Sequence, residues 1–248
     1  MKHRFFVPPK TIDGEWVRFS PEMAHQMRSV LRLRPGETVY VLDNSGREWE
    51  VELDNLDKRS ATGRVRASQS PLTEPVVALR LYQCVLKGDR FEWVLQKGTE
   101  LGVSTFVPVI SERTILSDPD RIEKKRPRWE RILREAAEQS GRVRLPRLSN
   151  PLSFAESCRQ RAGSGPAFIP WEESSAPSLS QALDRLAQQP REAALWIGPE
   201  GGLTAGEVAL ASGCGIEPVT LGPRILRAET ASVAATAILM ASLGQLGG

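Results

Sequence analysis

From residue 76 onward, short apolar segments alternate with helical segments, and this alternation constrains the fold most strongly. A strand followed by a helix tends to return parallel to the previous strand, so the pattern predicts an α/β fold with a parallel sheet. The predicted strands are Val76–Val85, Phe106–Ile110, Ala167–Pro170, Ala193–Ile197 and Val219–Leu221. The predicted helices are Asp89–Leu101, Pro127–Ser140, Leu179–Gln188, Ala205–Ser212 and Glu229–Leu243.

The N-terminal part shows a different pattern, in which short strands are separated by turn residues. This pattern is typical of a small β barrel or sandwich. One helix interrupts it, with Ser20 at the N-cap and Pro21 at the first helical position. The predicted strands are His3–Val7, Trp16–Phe19, Glu37–Asp43, Arg47–Leu56 and Thr62–Ala67.

The segment Ser68–Pro75 contains two prolines and small polar residues, which is typical of a linker. We therefore expect two domains, spanning residues 1–72 and 73–248. Residues 162–166 and 172–177 are predicted to be exposed loops.

Composition excludes several classes of protein. The net charge of +3 argues against a chain that is basic all over, although a local basic patch remains possible. Three dispersed cysteines and two histidines predict neither a disulfide framework nor a metal site, so the cysteines are interpreted as buried apolar residues. The absence of a signal peptide and of a long apolar run favours a cytoplasmic protein.

A Gly-Pro-Glu-Gly-Gly sequence at 198–202 follows directly after a predicted strand and precedes a helix capped by Thr204. Glycines at the carboxyl end of a parallel strand let the backbone approach a ligand closely. A tight turn that requires positive φ is the structural alternative. The segment lacks both the dinucleotide fingerprint and the P-loop lysine, which disfavours those two kinds of site.

A second strand ends in Gly-Pro at 222–223, and Ile225 and Leu226 then lie between Arg224 and Arg227. Two apolar residues between two cations suggest one side of an apolar ligand slot that faces an anion. The alternative is a loop anchored in the core, with solvated arginines.

Residues 121–147 contain ten basic and four acidic residues, a surplus of six positive charges. Solvated helix faces often carry such runs, but this surplus exceeds what the acids of the segment neutralise. The run therefore favours contacts with a nucleic-acid backbone.

Several motifs together resemble the RsmE family of the SPOUT superfamily, which methylates N3 of a uridine in 16S ribosomal RNA. The resemblance runs nearly end to end. It rests on the 198–202 loop, the LGPRILRAETA segment at 221–231, Lys97–Val103, Arg4–Val7, His25 with Val30–Arg32, and Glu138–Arg142 followed by Pro146. At position 98 the family pattern leads us to expect a small residue such as alanine. This chain has Gly98 there, which is a small departure from the pattern.

The resemblance implies a PUA-like RNA-binding barrel at the N-terminus and a catalytic domain whose parallel sheet contains a trefoil knot. It also implies S-adenosylmethionine as cofactor, 16S rRNA or the assembled small subunit as partner, and a homodimer without a metal. Packing between subunits would account for the final helix, which is small or apolar nearly all round.

The resemblance further implies roles for individual residues. Arg227 and Glu229 are the candidate catalytic residues, with Glu200 as a weaker alternative base, while the helix dipole offers a structural role for Glu229. Glu100 is expected to pair with a cation. The candidate cofactor-binding residues are Ile197, Gly198, Glu200, Gly201, Gly202, Leu221, Gly222, Ile225 and Leu226, and the candidate RNA-binding residues are Arg4, Arg32, Lys87, Lys97, Arg113 and Arg142.

Two other functions remain open from the sequence. A non-catalytic RNA-binding or ribosome-assembly factor could retain this fold, and it would not bind S-adenosylmethionine. An enzyme acting on small nucleotides is the third possibility, and the missing phosphate-binding motifs count against it.

Overall fold

A computed structural model describes residues 3–161, 165–172 and 176–247. The chain forms two compact units. The first comprises the residues up to Glu74 together with Ala137–Leu145, and the second comprises Pro75–Ala136 and the residues from Pro146 onward. The predicted loops at 162–166 and 172–177 lie partly outside the described residues.

The first unit is built on a six-stranded sheet with the order β1-β4-β5-β6-β3-β2. Only the pairing of β1 with β4 is parallel, and the other neighbours are antiparallel. All five predicted strands are present, together with a two-residue strand, β2, that was not predicted. The observed bounds are β1 (Arg4–Phe6), β2 (Ile12–Asp13), β3 (Trp16–Phe19), β4 (Thr38–Leu42), β5 (Glu48–Leu56) and β6 (Ala61–Gln69).

The predicted helix of this unit is confirmed, and its start is set by local chemistry. The Ser20 hydroxyl accepts a hydrogen bond from the Met23 backbone N–H, and Pro21 begins α1 (Pro21–His25). The helix continues as a π-helical turn over Gln26–Val30. Its inward side buries Ala24 and Met27 against the sheet core.

The second unit contains a parallel sheet, as the strand–helix alternation predicted. Its order is β10-β8-β7-β12-β11-β13, with β9 also paired to β8, and all its strand pairs are parallel. The strands are β7 (Ala78–Cys84), β8 (Thr105–Ile110), β9 (Arg147–Leu148), β10 (Leu152–Ser153), β11 (Ala167–Pro170), β12 (Glu192–Ile197) and β13 (Glu217–Val219).

Helices cover both faces of this sheet. One core cluster joins alternate sheet residues such as Leu79 and Leu195 to four of the helices, and a second joins Tyr82 and Trp196 to the other two. The first group of helices is α2 (Arg90–Glu100), α3 (Pro119–Ser140), α5 (Leu179–Asp184) and α7 (Ala228–Ser242). The second group is α4 (Phe154–Arg159) and α6 (Ala205–Gly213).

Two predicted helices have bounds that differ from the structure by more than one residue. Helix α3 begins eight residues before the predicted Pro127, which lies inside it. Buried Ile122 and Trp129 form one stripe across the proline, and this burial outweighs the lost backbone hydrogen bond. Helix α5 ends at Asp184 because the residues at 187–189 are exposed and provide no apolar face to extend it.

The sequence reasoning missed β9, β10 and α4. Two-residue strands carry no periodic signal, so their absence from the prediction is expected. Helix α4, however, has a recognisable start, because Ser153 and Glu156 form a capping box. Within the described ranges, no helix is both long and apolar enough to cross a membrane.

Candidate active site

Three loops meet at the carboxyl edge of the parallel sheet, after β11, β12 and β13. They enclose a cavity of about 760 Å³, to which the first residue of α2, Arg90, also contributes. Ligands of open α/β sheets bind at this edge. Eight of the nine predicted cofactor-binding residues line the cavity, as do Arg227 and Glu229. The exception is Gly201, whose carbonyl oxygen instead accepts a hydrogen bond from Arg113.

At two glycines of the 198–202 loop, an added side chain would lie too close to neighbouring atoms. Gly202 has φ +71°, and a Cβ atom there would lie 2.7 Å from the Glu172 Oε1 atom. A Cβ atom on Gly198 would lie 2.9 Å from the Leu203 Cγ atom. Gly202 therefore fits the turn that requires positive φ, and Gly198 packs closely against Leu203, while close approach to a ligand stays a prediction.

The 220–227 loop supplies an apolar wall. Leu221, Ile225 and Leu226 line the cavity, and Ile225 is 85% exposed despite being apolar. Trp171 also lines the cavity, and its indole Nε1–H is buried and has no hydrogen-bond partner among the described residues. An aromatic ring and an apolar wall with one unpaired donor suit a flat heterocycle.

Three glutamates line the cavity, and the Arg90 guanidinium contacts two of them, Glu200 and Glu229. The Glu200 Oε1 atom accepts hydrogen bonds from the Lys87 backbone N–H at 2.9 Å and from Arg90 Nη1 at 3.3 Å. The Glu229 Oε1 atom lies 3.8 Å from Arg90 Nε. The Oε2 atoms of both glutamates are buried without a hydrogen-bond partner in the described part of the chain. The cavity thus offers two unused acceptors.

Arg227 and Glu229 sit at the start of α7. Arg227 is the N-cap residue, its side chain is exposed, and no partner for that side chain is found in the described ranges. Glu229 lies in the first turn, where a negative charge also stabilises the helix dipole. Both the chemical and the structural roles of Glu229 therefore fit its position.

The predicted RNA-binding residues of the second unit have different environments. The Lys97 ammonium forms a 2.8 Å ion pair with Glu100, which confirms the predicted pairing of Glu100 with a cation. The Arg113 guanidinium donates to Gly201. Lys87 has an exposed side chain, and its backbone N–H holds Glu200.

In the first unit, two of the three predicted RNA-binding arginines are engaged internally. Arg4 forms a 2.8 Å ion pair with the buried Glu48, and Arg142, which is 4% exposed, forms a 2.8 Å ion pair with Glu74. Arg32 is exposed and has φ +57°, an uncommon backbone conformation for a residue other than glycine.

The basic run at 121–147 is partly neutralised by acids that lie outside it. Arg128 pairs with Glu92 at 2.6 Å, and further partners from outside the run are Asp118 for Arg121 and Glu74 for Arg142. Folding therefore brings carboxylates from outside the run to some of its arginines, and the contact of the run with a nucleic acid stays a prediction.

Cys84 and Cys158 are buried, as predicted, whereas Cys214 is only partly buried. Burial raises the pKa of the Cys84 thiol to about 12 and that of Cys158 to about 11, which disfavours the nucleophilic thiolate. Within the described part of the chain, no group of three or more His, Cys, Asp or Glu side chains is arranged to hold a metal ion.

Sequence reasoning missed Arg90, Trp171 and Glu172 as residues of this site. For two of these residues, their position in the sequence was a usable signal. Arg90 begins the helix after β7, and Trp171 directly follows β11, so both lie at the carboxyl edge that the glycine motifs had already marked.

Comparison with known proteins identifies the family. A family model described as an RNA methyltransferase domain matches residues 73–240, and one described as an RNA methyltransferase PUA domain matches residues 24–66. The ribosomal RNA small subunit methyltransferase E of Synechocystis is 36% identical, with 98% of this chain and 78% of the relative covered. That of Bacillus subtilis is 34% identical, with 85% and 84% covered.

Solved structures agree with these relatives. A ribosomal RNA small subunit methyltransferase E from Neisseria gonorrhoeae, bound to S-adenosyl methionine, has a TM-score of 0.88 and 31% identity, with 97% of this chain and 98% of that chain covered. A putative methyltransferase from Legionella pneumophila, in complex with the same cofactor, also has a TM-score of 0.88 and 31% identity, with 98% of both chains covered. The chain therefore belongs to the ribosomal RNA small subunit methyltransferase E family.

Proposed function

We propose that this protein transfers a methyl group from S-adenosylmethionine to N3 of a specific uridine in 16S rRNA. The structural observation that carries the proposal is the cavity at the carboxyl edge of the sheet, in which two glutamate oxygens are buried with no donor from the described residues. The names of the relatives support the rRNA substrate, and the cofactor in two similar structures supports S-adenosylmethionine.

The cavity residues fit this cofactor. The volume of about 760 Å³ lies in the usual range for small-molecule sites, roughly 300–1,000 Å³. Gly198, Gly202 and Gly222 give the backbone close access, and Leu221, Ile225 and Leu226 would hold the adenine. Glu200 offers its free oxygen to a cationic group. When bound, S-adenosylmethionine supplies an electrophilic methyl group on a sulfonium.

The chain's own residues must prepare the nucleophile. The uracil N3–H is a weak acid, so it needs a proton acceptor or a cation that stabilises its anion. Glu229 presents a buried oxygen to which no residue that the structure describes donates, which suits an acceptor of this proton. Arg227, exposed at the rim of the cavity, would stabilise negative charge on the uracil oxygens.

RNA recognition would be shared by the proposed domains, a PUA-like domain at 1–72 and a catalytic domain at 73–248. Arg32 and Lys87 are exposed and are the strongest candidates for phosphate contacts. Lys97, Arg113, Arg4 and Arg142 belong to the same proposed set, although each has a partner within the chain.

We further propose a homodimer whose interface includes α7. This helix buries Leu239 and Met240 within its own subunit but leaves Val233, Ala237 and Ile238 only half-buried. A second subunit would cover that apolar side.

The proposal extends to the trefoil knot in the C-terminal part and to a cytoplasmic location, where the small ribosomal subunit is assembled.

Nucleoside mass spectrometry tests the function. We expect 16S rRNA from cells that lack this protein to have lost one N3-methylated uridine, and the purified protein to restore it when S-adenosylmethionine is added. Unchanged rRNA in the deleted strain would contradict the proposal. Calorimetric titration with S-adenosylmethionine separates the enzyme from a non-catalytic RNA-binding factor, because such a factor would show no binding.

A further inference from the structure

The side chain of Arg90 contacts two of the three carboxylates that line the cavity. Nη1 reaches Glu200, which follows β12, and Nε reaches Glu229, which lies at the start of α7. These two glutamates belong to the two different glycine-containing segments of the site. We infer that Arg90 is a positioning residue that orients both carboxylates for the cofactor and for the uracil, an inference that rests on the proposed function.

The orientation of each carboxylate supports this assignment. In both glutamates, Oε1 faces Arg90, whereas Oε2 is buried without a donor among the described residues. A buried acceptor that lacks a donor is costly, so each Oε2 atom indicates a site for a ligand donor. Arg90 thus occupies one oxygen of each pair and leaves the other available.

The negative charges of Glu200 and Glu229 also favour a cation at the position of Arg90. Two carboxylates that face one cavity repel each other, and the repulsion grows as water is excluded. A guanidinium between them offsets this repulsion and offers several donors in a rigid plane, so it can serve both partners at once. A single lysine ammonium serves two separated carboxylates less well.

Stability does not explain the arrangement. Arg90 is 47% exposed, and its distance of 3.8 Å to Glu229 is longer than a hydrogen bond. Ion pairs of this kind contribute little to folding. We therefore expect Arg90→Met to keep a melting temperature within about 3 °C of the wild type.

Two double-mutant cycles test the inference, one for each carboxylate. In the first, calorimetry measures S-adenosylmethionine affinity without RNA. Arg90→Met is expected to weaken binding about tenfold in the wild-type background but less than about twofold in Glu200→Gln, because the carboxylate it orients is already lost.

In the second cycle, single-turnover methylation is measured at saturating cofactor and RNA. Arg90→Met is expected to slow the reaction about tenfold in the wild-type background and less than about twofold in Glu229→Gln. Arg90→Lys should recover part of both losses. Arg185→Met is the matched control, because Arg185 is also an exposed arginine with an ion pair but does not line the cavity.

The outcomes separate this inference from the proposed function. Additive effects in both cycles, or losses equal to those of Arg185→Met, would overturn the positioning role in an otherwise active enzyme. A wild-type protein that binds S-adenosylmethionine without methylating uridine would overturn the proposed function, while the binding cycle would still decide the role of Arg90. A wild-type protein that does not bind the cofactor would overturn both.

Discussion

The Arg113 guanidinium donates a hydrogen bond from Nη1 to the backbone carbonyl oxygen of Gly201 at 3.0 Å. A second bond, from the Glu112 backbone N–H to Glu207 Oε1, ties the same segment to the first turn of α6. The segment after β8 therefore contacts both the glycine loop near its end and the helix that follows it. Arg113 was predicted as an RNA contact, and its observed partner suggests an additional role in shaping the cofactor site.

Replacing Arg113 with methionine distinguishes these two roles. Because the loop would lose a charge-assisted hydrogen bond, we expect S-adenosylmethionine affinity without RNA to fall about fivefold. If Arg113 also contacts an RNA phosphate, the slope of RNA affinity against salt concentration should decrease by about one. Unchanged cofactor affinity would contradict the loop-holding role.

The chemical role of Glu229 is tested by Glu229→Gln. General acid–base catalysis contributes about 10²–10⁴ to a rate, so we expect single-turnover methylation to slow at least a hundredfold. A rate within threefold of the wild type would exclude the general-base role. Thermal unfolding is the control, since loss of the helix-dipole contribution alone would lower stability without this loss of rate.

Gly202→Ala should destabilise the protein and impair cofactor binding. The substitution puts a Cβ atom at φ +71° and 2.7 Å from the Glu172 carboxylate, so we expect a loss of about 1–2 kcal/mol. Gly213→Ala is the matched control, because no atom lies within 4 Å of its Cβ position and it ends α6. That substitution should be neutral or stabilise by up to about 1 kcal/mol. Urea denaturation measures both variants, and equal effects would contradict the steric argument.

The buried pair of Arg142 and Glu74 should dominate the stability of the first unit. The side chain of Arg142 is 5% exposed, so its removal leaves a carboxylate without its main partner. We expect Arg142→Met to cost about 3 kcal/mol in unfolding free energy. Arg66→Met, which breaks an exposed pair with Glu52, should cost less than about 1 kcal/mol. A small effect of Arg142→Met would favour a role outside folding, such as RNA contact.

Thiol chemistry tests the burial of the cysteines. The pKa of Cys84 is raised by burial from 9.0 to about 12, so the folded protein retains this proton at pH values where the unfolded chain loses it. Stability from this group is therefore lost as pH rises above about 9. We expect the urea midpoint to fall between pH 8 and pH 10, and to fall less in Cys84→Ala.

At pH 8, a thiol reagent should leave Cys84 and Cys158 unmodified in the native protein, and rapid labelling would contradict their burial.

Local sequence patterns predicted much of the architecture. The alternation after residue 76 predicted the parallel sheet, which the structure confirms, and the family comparison confirms the resemblance carried by the glycine motifs. Residues that cap helix ends were also predicted correctly. Ser20 and Thr204, both predicted to cap helices, accept the capping hydrogen bonds at the starts of α1 and α6. Such signals depend on positions a few residues apart, and they are therefore visible in the sequence.

The sequence by itself determined where strands, helices and ligand-approaching glycines lie, because these depend on local periodicity and on backbone sterics. The tertiary structure alone decided which of those segments meet. It places β12 between β7 and β11 and brings Arg90 to Glu200, 110 residues away. It also pairs the basic run with acids from other elements, which the charge count did not reveal. The physical reason is that electrostatic partners are set by distance in space, and the order of strands in the sheet determines that distance.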